Sequence, residues 1–378
     1  MIKYLGVNDH KIDLFEGQYI VKDGISYNSY LLLDEKIVIT DTVDINFYQE
    51  WLENIKNNLG DKKPDYLLIS HMEPDHSASI LKLLEIYENI TLILNNQAFN
   101  MLKNFYPGYE FKNILLVKDN DNLNIGKYNL KFIFAPMVHW PEVMFTYIEE
   151  EKSLLCADAF GRFGALDKNI DNELDEYRRY YIGIVGKYGM QVTNALKKVS
   201  TLDIKKLLPL HGPIVEGDKL SLLLNKYTQW ASYSTTDGVT IVYSSVYGGT
   251  KSAALELAKM INKDVKIFDL ARDDFHDAVS YAFEYKNLVI ASMTYNNGLY
   301  PHTESFLHAL LERGYKNHHI SIIENGTWGP QVNKIIKAFF ENNLKDNIIL
   351  SKSCKILSRL DERSLNELKE VAKEINND

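Results

Sequence analysis

The 378-residue sequence predicts two α/β domains in series. The first, residues 1–235, reads as a mixed αββα sandwich, and the second, 238–378, as a doubly wound parallel sheet. Three observations point there. In the first half, apolar strand-like runs repeatedly end on a His or an Asp. From Gly238 onward, five strand and helix patterns alternate, the mark of a parallel sheet with crossover helices. Between the halves, Ala231-Ser232-Tyr233-Ser234-Thr235-Thr236-Asp237-Gly238 is polar and weakly patterned, as an inter-domain segment is. The length favours two cores, and 46% of the residues are apolar, enough to fill both.

Residues 1 to about 60 show strand pairs, such as Gln18–Lys22 and Tyr30–Leu33, then a helix around Phe47–Asn58. The buried strand Tyr66-Leu67-Leu68-Ile69-Ser70 follows, and it delivers His71-Met72-Glu73-Pro74-Asp75-His76. Two imidazoles and two carboxylates stand within six residues. Pro74 predicts a loop and not a helix. A helix would not aim positions 71, 73, 75 and 76 at one point, since its facing neighbours are three or four apart. A helix is expected from Ser77 to about Tyr87, capped by Asp75 or Ser77.

Three more apolar runs end in a candidate ligand. Lys131 to Val138 ends at His139, Ser153 to Ala157 at Asp158, and Leu207 to Leu210 at His211. Each reads as a buried strand that hands over its polar residue where it stops. Residues 170–200 read as mostly helical, broken near Gly183–Gly189, and a further helix runs from beyond His211 to about Trp230. The sum is four histidines and three carboxylates, enough for two metal ions. Hard oxygen ligands mixed with imidazole suit iron or manganese, whereas a softer set would suit zinc. No cysteine lies in the motif, which argues against a thiolate zinc site.

The second half opens with Val239-Thr240-Ile241-Val242-Tyr243, a buried parallel strand. Ser244-Ser245-Val246-Tyr247-Gly248-Gly249-Thr250 follows, and then a helical pattern from Lys251. A hydroxyl- and glycine-rich turn between strand and helix points N–H groups and hydroxyls at a phosphate held at the helix N-terminus. It is neither a Walker A loop nor a Gly-x-Gly-x-x-Gly dinucleotide turn. Two further strands, Leu288–Ser292 and Ile320–Ile323, lead into Met293-Thr294-Tyr295-Asn296-Asn297-Gly298 and Glu324-Asn325-Gly326-Thr327-Trp328-Gly329. Ligands of open α/β sheets bind outside the carboxyl ends of the strands. Loops with aromatics there suit a flat ring between walls. The last element is an amphipathic helix from Asp361 to about Asn376.

The first-half motif resembles the metallo-β-lactamase-fold superfamily, whose hydrolases usually carry His-x-His-x-Asp-His. Glu73 stands where those hydrolases have the second His. With His139, Asp158 and His211 downstream, the pattern looks like the flavodiiron proteins. The resemblance implies a metallo-β-lactamase-like domain followed by a flavodoxin-like FMN domain. It puts His71, Glu73 and His139 on one non-haem iron and Asp75, His76 and His211 on another, with Asp158 bridging. His139-Trp140-Pro141 and Met144-Phe145-Thr146-Tyr147 also fit the family, whereas Glu142-Val143 stands where Asp-Ser is usual. In the second half the resemblance implies FMN held by Ser244 to Thr250, Thr294 to Gly298, and Asn325 to Trp328. Ser244 and Gly249 replace the Asp and Asn usual in the first loop, and the third begins Glu-Asn-Gly where Gly-Ser-Tyr-Gly is more usual.

The activity that the resemblance implies is reduction of O2 to water, of NO to N2O, or of both. The family implies a head-to-tail homodimer, with a tetramer as a larger assembly, in which FMN of one chain faces the irons of the other. Cys156 and Cys354 are the two cysteines and read as buried free thiols. They cannot form the four-cysteine iron site of a rubredoxin module, so electrons are expected from a separate carrier such as rubredoxin. A rival reading is a binuclear zinc hydrolase fused to a flavodoxin-like domain, against which Glu73 argues. A second rival is a flavin electron carrier with a vestigial metal site. A net charge of −9 and the lack of a long basic stretch argue against nucleic-acid binding. No apolar run of membrane-spanning length and no signal peptide are seen, so a cytoplasmic location is expected. The 24 tyrosines read as core and interface filling.

Overall fold

The computed structural model describes residues 1–378 as two compact units, Met1–Ala231 and Ser232–Asp378. The first unit is built on two six-stranded sheets. One runs in chain order through β1 (Ile2–Tyr4), β2 (Tyr30–Leu32), β3 (Val38–Thr40), β4 (Tyr66–Leu68), β5 (Thr91–Asn95) and β6 (Ile114–Val117). Its first three strands pair antiparallel and the last four parallel. The other runs through β7 (Asn122–Asn124), β8 (Asn129–Phe134), β9 (Met144–Ile148), β10 (Ser153–Leu155), β11 (Lys206–Leu208) and β12 (Val215–Glu216), with β10 and β11 parallel.

Tyr30, Leu32, Val38, Leu68 and Ile93 from the first sheet share one apolar core with Leu130, Phe132, Met144, Ile148, Leu155 and Leu208 from the second. Burying such alternating apolar faces against each other is the main stabilisation of a two-sheet sandwich. Helices cover the outer faces. α1 (Tyr48–Leu59), for example, buries Trp51, Leu52, Ile55 and Leu59 at helical spacing. The parallel registers matter for the site. They send the residues after β3 and β4 to one end, and those after β10 and β11 to one end.

Three local expectations need correction. Pro74–Ser77 is a single helical turn, α2, and not a loop. Pro74 occupies its first position, where the missing N–H costs nothing. The following helix, α3, spans Ile80–Ile86, and neither Asp75 nor Ser77 caps it; Ser79 precedes it without a side-chain cap. The strand before His139 stops at Phe134, four residues early, because Pro136 cannot donate to a ladder and Met137 turns to φ +63°.

The helical stretch is α4 (Glu173–Tyr180), then a wide turn over Tyr181–Val185, then a tight turn, then α5 (Gly189–Val199). Gly183 lies in the wide turn, and its carbonyl accepts the Tyr19 hydroxyl at 2.8 Å. A Cβ there would stand 2.7 Å from the Tyr19 ring, so the ring and the glycine fit only together. α6 (Asp218–Ala231) closes the unit.

The second unit is a five-stranded parallel sheet with a short antiparallel addition. Its strands are β13 (Thr236–Tyr243), β14 (Val265–Asp269), β15 (Tyr285–Tyr295), β16 (His319–Asn325) and β17 (Ile348–Ile356), in spatial order β14-β13-β15-β16-β17. That is the flavodoxin-like order, whose switch point lies between β13 and β15. β13 starts at Thr236, inside the stretch expected to be linker, with a bulge between Thr236 and Val239. Helices α7 (Gly249–Met260) and α11 (Glu362–Asn377) pack a shared core of Ala253, Leu257, Leu368, Val371 and Ile375 against one face. Between them in sequence lie α8 (Phe275–Glu284), α9 (Pro301–Glu312) and α10 (Val332–Asn343). No helix of the chain is long and apolar enough to cross a membrane.

Candidate functional site

Within the first unit, the seven residues singled out in the sequence converge as two adjoining groups. His71, Glu73, His139 and Asp158 form one, and Asp75, His76 and His211 the other; in each, the donor atoms lie within 4.8 Å of one another. In the first group His71 Nε2 lies 3.2 Å from Glu73 Oε2 and 3.2 Å from His139 Nε2. His139 Nε2 lies 3.1 Å from Glu73 Oε2 and 2.9 Å from Asp158 Oδ2. In the second, His76 Nε2 and His211 Nε2 are 2.9 Å apart, and each is 3.3 Å from Asp75 Oδ2. Asp158 spans both. Its Oδ2 faces the first group, while Oδ1 lies 3.6 Å from His76 Nε2 and 3.8 Å from His211 Nε2.

These spacings are those of a metal shell, because an ion roughly 2.1 Å from each donor holds neighbouring donors about 3 Å apart. A second observation agrees. Asp75 Oδ1 and Oδ2 and Asp158 Oδ1 are buried with no hydrogen-bond donor. Carboxylate oxygens are not left so unless a cation compensates them. Burial would push the His71 imidazole down, but Asp158, Glu142 and Glu73 overcome it and hold it well above its usual range. Burial also opposes protonation of His139, yet Asp158 and Glu73 lift it to about 9. Burial tends to raise Asp158, but His71 and His139 keep it well below the carboxylate range. The field of the pocket thus favours positive charge at its centre.

The backbone around the ligands is tied down by residues that sequence reading missed. Asp41, just after β3, accepts the Ser70 N–H at 2.7 Å and the His71 N–H at 3.3 Å. Thr42 donates its N–H and its hydroxyl to the His76 carbonyl, both at 2.8 Å. Glu142 Oε1 lies 2.8 Å from His71 Nδ1 and accepts the Met72 N–H at 2.8 Å, so the departure from Asp-Ser is filled by a working contact. The Ser26 carbonyl lies 2.7 Å from His211 Nδ1. The two contacts at Nδ1 leave Nε2 of His71 and of His211 turned inward.

Aromatic rings wall the pocket. Phe15, Tyr27 and Tyr180 stand against the His211 ring, with centroids at 5.3, 5.9 and 5.5 Å, and Trp140 stands against His71 at 5.2 Å. The Tyr180 hydroxyl is buried without a hydrogen-bond partner; burial, then Asp158, Glu73 and Asp75, hold its proton firmly on. Glu16, at the tip of the hairpin Leu14–Phe15/Tyr19–Ile20, reaches Glu73. Its carboxyl is raised to about 7 by burial and by that neighbour.

In the second unit the three expected loops leave β13, β15 and β16 at one edge of the sheet. Ser244 faces inward: it is buried, and its Oγ lies 2.9 Å from Thr303 Oγ1. Ser245 Oγ accepts the Lys251 N–H at 3.2 Å, and Gly248 turns the chain at φ +86° into α7. Val246 and Tyr247 stand in solvent. Thr294 and Tyr295 complete β15, Asn296 and Asn297 form a two-residue turn at φ +48° and +61°, and Gly298 pairs back with Tyr295. Asn325 ends β16, and Gly326 and Thr327 lead to Trp328, 82% exposed. A helix N-terminus flanked by hydroxyls, with large unpartnered aromatics along the same edge, fits a phosphate carrying a flat ring.

Residues 25–212 match the sequence profile of the ODP family beta lactamase. A nitric oxide reductase from Moorella thermoacetica is 30% identical over 348 residues, covering 89% of this chain and 87% of that protein. The crystal structure of the flavodiiron protein from Giardia intestinalis aligns with a TM-score of 0.91 at 27% identity, covering 99% of this chain and 95% of that one. Rubredoxin oxygen:oxidoreductase from Desulfovibrio gigas shares the fold, with a TM-score of 0.92 at 24% identity and coverage of 100% and 96%.

Proposed function

This chain belongs to the flavodiiron family, and from that premise we propose that it is an oxidoreductase reducing O2 to water, NO to N2O, or both, at two non-haem irons fed by FMN. The observation that carries the reading is Asp158, whose two oxygens turn to two separate ligand groups. His71, Glu73 and His139 would hold one iron and Asp75, His76 and His211 the other, with Asp158 common to both. FMN would sit on Ser245, Gly248, Gly249 and Thr250 through its phosphate, with Thr294 to Gly298 and Gly326 to Trp328 around its rings. The zinc-hydrolase reading is the less supported, since the relatives are named as reductases and a flavin has no part in hydrolysis.

When bound, the irons offer open positions to a diatomic oxidant, and FMN supplies electrons one at a time. The chain's own residues prepare that chemistry. Glu142 and the Ser26 carbonyl fix two imidazoles so that Nε2 faces the metal positions. Phe15, Tyr27, Tyr180 and Trp140 exclude water, which strengthens every charge interaction inside. The Tyr180 hydroxyl keeps a proton beside the carboxylates of both groups. Cys156 and Cys354 are buried free thiols, so a rubredoxin or similar carrier outside these residues would deliver the electrons. A head-to-tail homodimer would bring FMN of one chain to the irons of another.

The test is metal analysis of the purified protein, followed by anaerobic O2 and NO consumption with a reduced carrier. Two irons and one FMN per chain, with turnover of either gas, are expected. Two zincs in protein grown with iron present would overturn the reading. Sedimentation velocity checks the dimer.

A further inference from the structure

Asn325 lies at the carboxyl end of β16, where its side chain could address a ligand. Its amide is committed elsewhere. Nδ2 donates to Thr250 Oγ1 at 3.1 Å and lies 3.4 Å from the Ser358 carbonyl oxygen. Oδ1 accepts the Ser358 N–H at 3.1 Å. The residue is buried, and both ends of its amide are engaged within the protein. Thr250 is in the first turn of α7, whose N-terminus is the candidate phosphate seat. Ser358 belongs to the turn after β17, a segment that none of the three expected loops includes. That turn is bent to φ +75° at Ser358 and presses on the phosphate loop. A Cβ built on Gly249 would stand 2.0 Å from the Ser358 carbonyl oxygen. Thr327 and Ser358 join hydroxyl to hydroxyl at the rim.

We propose that Asn325 is a positioning residue and not a flavin ligand: it clamps the N-terminus of α7 to the Leu357–Arg359 turn and so holds the phosphate seat in shape. The turn after β17 is then a fourth wall of the cofactor site, set against the phosphate loop and tied at Thr327 to the rim of one ring loop. This rests on the FMN reading above. An unclamped seat must be ordered by the cofactor itself, and that cost is subtracted from affinity. The loss falls on the phosphate, because the groups that the clamp holds, Thr250 and Gly249, stand at the N-terminus of α7.

The test compares FMN with riboflavin, which lacks the phosphate, on the full chain stripped of flavin with its metals retained. Quenching of flavin fluorescence gives both dissociation constants. Asn325→Ala is expected to weaken FMN by about tenfold, the size of one lost hydrogen bond to a neutral partner, and to leave riboflavin within about twofold. Where Asn325→Ala does not fold, by circular dichroism, Asn325→Ser is read the same way, since one short hydroxyl cannot replace an amide that bridges Thr250 and Ser358. Equal loss of both flavins, or no loss of FMN, overturns the clamp. Wild-type chain that binds neither flavin removes the cofactor reading and the clamp with it.

Discussion

Glu142 Oε1 meets both the His71 ring at Nδ1 and the Met72 backbone N–H, each at 2.8 Å, and all three residues are buried. One carboxylate oxygen thus sets the rotation of the His71 ring and the path of the segment that carries Glu73. Asn95 donates to the Glu142 carbonyl at 2.6 Å, so the glutamate is itself braced. Glu142→Gln removes the charge that raises the basicity of His71. Metal affinity is expected to fall by roughly 10–100-fold, read by chelator competition. Glu142→Asp draws the carboxylate back by about 1.5 Å, one carbon–carbon bond, and should fall between wild type and Gln. Wild-type affinity in both variants would remove Glu142 from the site.

Asp41 poses a separate question, whether its charge or its acceptor matters. It receives two buried backbone N–H groups, and burial lifts its carboxyl to about 7. Asp41→Asn keeps an acceptor at Oδ1 and should retain most metal binding. Asp41→Ala orphans both donors, at about 1–3 kcal/mol each. A thermal melt of each metal-free variant, with its metal content, separates the two. Equal damage from Asn and Ala would mean that the charge is what counts.

Much of this could be read from the chain because candidate ligand residues sit where strands stop. His71, Asp158 and His211 each follow an apolar run, and that local mark survives in the fold. Asp41 carries the same mark after Ile37–Thr40, yet a lone Asp between two threonines draws no notice without its partners in view. Glu16 has no mark. It meets Glu73 because a hairpin tip folds back over the pocket, a relation of distance in space and not of sequence. Tyr180 was one aromatic among many, and only packing against His211 distinguishes it. In the second unit, strand parity decided Ser244: it continues β13 by one residue and so points into the core, which composition alone does not tell.

His318 makes the second unit sensitive to acid. Its ring stacks on Tyr315 at 4.0 Å, and burial lowers it from an ordinary 6.5 to about 4. Between those values the unfolded chain takes up a proton that the folded one refuses. Stability is therefore complete above about pH 6.5, falls as pH drops toward 4, and loses no more below that from this group. The total is roughly 3 kcal/mol, at about 1.4 per pH unit. Hydrogen-exchange protection of residues 285–295 and 319–325, taken relative to the intrinsic rate at each pH, should fall through that window. His318→Gln should flatten the trend, and an equally steep trend in the variant would assign it to another group.

Adjacent glycines at the phosphate loop should respond very differently to one methyl group. Gly248 has φ +86° and open space where a Cβ would go, so Gly248→Ala carries backbone strain alone, about 1–2 kcal/mol. Gly249 is the reverse case. Its Cβ would meet the Ser358 carbonyl oxygen at 2.0 Å, and a backbone carbonyl cannot swing aside as a side chain does. Gly249→Ala must push the Leu357–Arg359 turn away from the helix N-terminus. Flavin titration of the two variants is expected to give near-normal FMN affinity for Gly248→Ala and a loss of tenfold or more, about 1.4 kcal/mol, for Gly249→Ala. The reverse ranking would mean that the bend at Gly248, and not the close approach at Gly249, governs the seat.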